Sequence, residues 1–115
     1  MTKIAIAMAA LLVAGQAIAQ DITLDGVAGS VSLVNAIYNC GRYYPVDTSL
    51  LERLDAAFNE LGEKAAAREG KSWRAILRAE IDRRHKEVTA TGLQHWCAYQ
   101  REIPDYRQFF KGAKP

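Results

Sequence analysis

Two cysteines and two histidines are the residues of this chain best suited to chemistry, and their spacing argues against most of it. Cys40 and Cys97 form no C-x-x-C pair, so a thioredoxin-like redox motif is missing. No C-x-x-C-H run is present for covalent haem attachment. His85 and His95 are ten residues apart. On one helix that separates them by about 80° of rotation, unlike the i, i+4 pair of helical zinc sites. Glu80, Asp82 and Glu87 surround His85, but Arg83, Arg84 and Lys86 do too, and no ligand set with metal spacing emerges. His95 lies two residues from Cys97, yet on a helix the two side chains leave on different sides.

Hydroxyl and carboxylate chemistry fares no better. No G-x-S-x-G elbow is present. Ser49 and Ser72 precede apolar helical runs and read as caps, while Ser30 and Ser32 fall within a first helix. Asp47, Glu52 and Asp55 cluster in sequence, as do Glu60 and Glu63, but such groups are the ordinary wet face of amphipathic helices. The expectation is no catalytic residue, no metal and no cofactor, and therefore a protein that is not an enzyme.

The elements that must position these residues begin after a leader. Lys3 supplies a positive charge, Ile4 to Ala14 is an uncharged apolar run, and Ala17-Ile18-Ala19 is a small-residue cleavage site. That order is a secretory signal over residues 1–19, cut after Ala19. Its apolar core is too short for a bilayer, which needs about 20 residues. Residues 20–115 then form one small domain, and the expected location is the periplasm. Small exported domains often add disulfides because their cores are limited, so Cys40 and Cys97 are expected to bridge.

Charge divides along the chain. Residues 20–70 carry four basic and eight acidic side chains, whereas residues 71–115 carry ten basic and five acidic. The halves either neutralise each other on packing or leave a basic surface for an acidic partner or an anionic envelope component. Arg74 and Arg78 are the nearest thing to a basic patch. The aromatics beside it lie on presumed core stripes, and an exported chain is not expected to meet nucleic acid.

Hydrophobic periodicity predicts an all-α domain of three helices. Val27, Val31, Val34 and Ile37 or Tyr38 recur three and four apart in a helix from Asp25, its N-cap, to Cys40. Pro45 breaks the chain into a loop carrying Tyr43 and Tyr44. Ser49-Leu50-Leu51-Glu52 has the form of a capping box, followed by Leu51, Leu54, Phe58, Leu61 and Ala65 on one face. Glu60 and Lys64 can pair outside it. Ser72 caps the last helix, with Trp73, Ile76, Leu77, Ile81 and Val88 on one face. Gly92 could divide that helix and make a fourth, but the stripe keeps phase through Val88, Gly92, Trp96, Tyr99 and Ile103. One long helix to about Arg101 is the favoured reading, with Gly92 accommodating a close backbone at a cost of about 1 kcal/mol. Pro104 ends it.

Aromatic residues are the most suggestive group. They either build a core around the disulfide or form an exposed face, and Tyr and Arg are residues that carry interfaces. The candidate interaction surface is Arg42, Tyr43 and Tyr44 in the loop, with Arg101, Tyr106, Arg107, Phe109 and Phe110 in the C-terminal segment. In size, leader and the pair Cys40 and Cys97, the chain resembles the small helical acid-stress chaperones of the periplasm. It is similar in the same respects to small periplasmic immunity or inhibitor proteins. That likeness extends to no residue motif. The candidate face leads to the expectation of a protein that binds another periplasmic protein, with self-association into a homodimer left open, and no later segment is apolar enough for a transmembrane span. The second function class is a binder of a small ligand or anionic envelope component, which a deep apolar cavity near Gly92 would favour.

Overall fold

The computed structural model describes residues 23–112. The leader expected over residues 1–19, with its cut after Ala19, lies outside them. The described chain is all-helical. α1 spans Leu24–Asn39 and runs into a 3-10 turn, Cys40–Arg42; α2 spans Thr48–Arg68, α3 Trp73–Thr91 and α4 Leu93–Glu102, and a second 3-10 segment, Pro104–Phe109, closes the chain.

α1 is the centre of the domain. Val27 to Val34 is buried without interruption, and Ile37 joins it. The expected stripe was narrower, because periodicity alone does not reveal that α2 and α3 both pack on this helix. A helix covered on several sides is apolar or small-residued all round, and Ala28, Gly29, Ser30 and Ser32 supply the small residues. The two buried hydroxyls are satisfied within the helix, Ser30 Oγ donating to the Gly26 carbonyl at 3.1 Å and Ser32 Oγ to the Gly29 carbonyl at 2.8 Å. The N-cap is Thr23 and not Asp25: its hydroxyl accepts from the Gly26 amide at 3.0 Å. Asp25 instead sits in the first turn, where a carboxylate favours the helix dipole.

α2 begins earlier than the capping box suggests. Asp47 is the N-cap, its Oδ1 accepting from the Leu50 amide at 3.0 Å, while the Ser49 hydroxyl accepts from Arg53 Nη1. The reason is tertiary. Val46 makes an isolated antiparallel bridge with Phe110, and the Asp47 amide donates to the Phe109 carbonyl at 2.9 Å. The chain is thus pinned extended up to Asp47 and turns helical immediately after. Leu51, Leu54 and Phe58 enter the core as expected, followed by Gly62 and Ala66. The surface Glu60–Lys64 pair forms at 3.0 Å. At Gly62 the Trp73 ring occupies the space a Cβ would need. The Trp73 Nε1 donates to Asn59 Oδ1 at 3.0 Å, which docks the start of α3 on α2.

The last helix is broken. Ser72 caps α3 as expected, accepting from the Ala75 amide at 3.2 Å. At Gly92, however, the backbone takes φ 90° and ψ 134°, and α4 starts anew at Leu93. The single long helix is therefore corrected to two, in the four-helix arrangement. Positive φ is the reason for glycine here, not close approach, since nothing lies within 4 Å of where its Cβ would be. The hydrophobic phase carried through the break because the Gly92 amide still donates to Val88 and the Gly92 carbonyl still accepts from Trp96, both at 2.8 Å.

Cys40 and Cys97 form the expected disulfide, with Cα atoms 5.6 Å apart and both residues fully buried. It joins the end of α1 to the middle of α4. Beyond α4, Phe109 and Phe110 fold into the core and Lys111 donates to the Pro45 carbonyl at 3.0 Å. No helix among the described residues is long and apolar enough to cross a membrane.

Candidate binding surface

The eight residues expected to form an interaction face divide into three groups. Phe109 and Phe110 are core residues, 0% and 4% exposed. Their place on that face is corrected: the bridge to Val46 draws this segment inward, and Phe110 meets Tyr44 edge-on with ring centroids 6.5 Å apart. Tyr44, Arg101, Tyr106 and Arg107 are half-buried. The Arg101 guanidinium lies over the Tyr44 ring, 4.4 Å from its centroid, a cation–π contact. Its Nε is buried without a hydrogen-bond partner among the described residues. Tyr106 packs on Phe109 at 6.1 Å, and burial, the largest influence on it, raises its phenol above the usual tyrosine value. Arg107 Nη2 donates to the Glu102 carbonyl at 3.4 Å. Arg42 and Tyr43 are exposed.

Two further tyrosines, read in the sequence as members of helical stripes, are on the surface. Tyr38 is 45% exposed and Tyr99 64%. Ile37 fills the core in place of Tyr38, and Trp96, Cys97 and Gln100 form the inward face of α4, which turns Tyr99 out. The signal that could have found them is the pairing itself. Once Cys97 points inward, a residue two positions later on a helix must point away.

The exposed tyrosines therefore gather around one covalent link. Tyr38 and Tyr43 lie within three residues of Cys40, and Tyr99 within two of Cys97. A shallow groove of about 570 Å³ runs along Tyr43, Tyr44, Leu93, His95 and Ala98. A second, more enclosed groove of about 450 Å³ lies between α1 and α3 and reaches Arg42 and His85. Both meet at Gly92 and Leu93, so the break in the helix shapes both.

A polar network holds that break in place. Trp96 Nε1 on α4 donates to Glu87 Oε2 on α3 at 2.9 Å. Arg84 Nη1 pairs with the same carboxylate at 3.2 Å, while Arg84 Nε donates to Ser32 Oγ at 3.2 Å and Nη2 to the Gly29 carbonyl at 3.3 Å. Arg83 bonds Glu80 at 2.9 Å and approaches Glu87 at 3.6 Å. α1, α3 and α4 are thereby tied together across Gly92. Partial burial pushes the Glu87 carboxyl up, but the Trp96 hydrogen bond and the Arg84 and Arg83 charges outweigh it. The net result is a value below that of an ordinary glutamate. The Glu80 hydrogen bond is the largest influence on Arg83 and raises it. Sequence reading placed Arg84 and Glu87 only as neighbours of His85: the Arg84 contacts to Ser32 and Gly29 join residues more than fifty positions apart and leave no local pattern, and the Trp96–Glu87 bond depends on the break at Gly92.

Among the described residues no group of three or more His, Cys, Asp or Glu is placed to hold a metal ion. No family model, curated protein or solved structure matches the chain.

Proposed function

We propose that this chain is an exported, non-enzymatic binding protein of the periplasm. It acts on another protein, as an accessory, inhibitor or chaperone-like factor, through the tyrosine-bearing end of the domain. The observation that carries this reading is the gathering of Tyr38, Tyr43 and Tyr99 around the Cys40–Cys97 link. Of the large hydrophobic side chains exposed among the described residues, Ile81 alone lies elsewhere. Tyrosine supplies broad contact area and a hydroxyl at low entropic cost, which is why it recurs at interfaces. A disulfide that fixes the backbone under such residues lowers the cost of ordering them on binding.

The compartment reading rests on the leader-like N-terminus and on the disulfide, which persists where the environment is oxidising. The non-enzymatic reading is supported by the use made of the groups with shifted pKa values. Arg83 is engaged by Glu80 and Glu87 within α3, Glu87 is engaged by Arg84 and by Trp96 on α4, and Tyr106 packs on Phe109. The test is capture from an envelope extract by the tagged, oxidised protein at low and high salt. One protein retained at both salts is expected, because an interface built on tyrosines is partly apolar. Capture of many proteins at low salt alone would replace this reading with a charge-driven surface.

A further inference from the structure

The enclosed groove between α1 and α3 has a chemistry of its own, separate from the tyrosine surface. Asn35 and Asn39, one turn apart on α1, line one wall, and Arg42 follows them at the end of the 3-10 turn. His85 stands on the α3 side. The apolar part of the lining is Ala36, Ile81, Val88 and Leu93. No aspartate or glutamate lines it, although α3 carries Glu80, Asp82 and Glu87. Glu80 is engaged by Arg83, and Glu87 by Arg84 and Trp96. Arg84 borders the groove with its charge already paired, so it serves as wall. Arg42 makes no ion pair with any described residue, and its exposed guanidinium is the open positive charge at the groove.

A groove of about 450 Å³ falls within the range of small-molecule sites, which combine an apolar lining with a few oriented polar groups. The Ser32 and Thr89 hydroxyls that also line it donate to the Gly29 and His85 carbonyls, which leaves the Arg42 guanidinium, two primary amides and an imidazole, all able to donate hydrogen bonds. A guanidinium matches a carboxylate in a forked geometry. We propose that this groove binds a small monocarboxylate carried on an apolar body, with the carboxylate at Arg42 and the asparagine amides and the body along Ala36, Ile81, Val88 and Leu93. A bare inorganic anion would leave the apolar lining unused, and a neutral amphiphile would leave Arg42 unpaired.

The experiment is a titration of the oxidised protein, followed by amide ¹H–¹⁵N spectra, with octanoate, octanol and inorganic phosphate in parallel. Octanoate is expected to shift the side-chain amides of Asn35 and Asn39 and the backbone amide of Gly92 along one saturable curve. Octanol and phosphate should each bind at least about tenfold more weakly, since a charge-assisted hydrogen bond is lost in one case and the apolar contact in the other. Arg42→Ala should weaken octanoate about tenfold, and Asn39→Asp, which places a negative charge at the wall, should weaken it further. Both positions are exposed, so each variant can be checked as folded by the same spectra. Equal binding of octanol or phosphate would overturn the proposal. So would unchanged octanoate affinity in Arg42→Ala, or shifts scattered over the domain without saturation.

Discussion

Glu87 is the side chain on which most of the polar architecture converges, and its linkage to pH has a definite sign. Its folded-state pKa lies below the usual value of 4.5. The stability it contributes is therefore present above that value and is lost as pH falls through the depressed one. Urea midpoints of the native protein should fall between neutral pH and a pH below 4.5, and Glu87→Gln should show a smaller fall over the same interval. An equal fall in both would mean that other carboxylates carry the acid response. Gly62 gives a second residue-scale expectation. The Trp73 ring fills the position of a Cβ, so Gly62→Ala should cost about 1–3 kcal/mol by overpacking, read from a denaturation midpoint. A neutral outcome would place the ring elsewhere.

At the scale of elements, the stripes on α2 and the first part of α3 were legible, while the ends and breaks were less so. Leu51, Leu54 and Phe58 repeat at helical spacing and are buried, because an amphipathic face records its own orientation. The start of α2 was misplaced because Ser49 and Glu52 satisfy a local rule that the Val46–Phe110 bridge overrides. Asp47→Ala should therefore destabilise by about 1 kcal/mol, whereas Ser49→Ala should be close to neutral; the reverse order would restore the capping box. The break at Gly92 was hidden by continuity of the stripe. Two hydrogen bonds across it keep Val88 and Trp96 in register although the glycine has left helical geometry. A residue with a Cβ is strained at φ 90°, so Gly92→Ala should cost about 1–3 kcal/mol in stability. It should also move the amide signals of Leu93 and Gln94, and unchanged stability would show that the break is not enforced by glycine.

At the scale of the molecule, the all-helical class follows from hydrophobic periodicity and the disulfide from the cysteine count, and both are present among the described residues. The division of aromatics between core and surface did not follow. Tyr44, Phe109 and Phe110 are placed by the pairing of residues 45–47 with the C-terminal segment, a contact between distant parts of the chain. The disulfide closes 57 residues of sequence, and its removal in Cys40→Ala/Cys97→Ala should cost about 4 kcal/mol in the chain-entropy account. Because it ties α1 to α4, its loss should also free the segments that carry Tyr38, Tyr43 and Tyr99.

The central claim is that those tyrosines form the binding surface. The most direct measurement is capture from envelope extract with the native protein and with Tyr43→Ser/Tyr99→Ser in parallel. Both changes are at exposed positions, so matched thermal midpoints would certify that the fold is retained. The account expects one protein held by the native chain at high salt and lost from the double variant. Equal retention by both proteins, with matched midpoints, would contradict it.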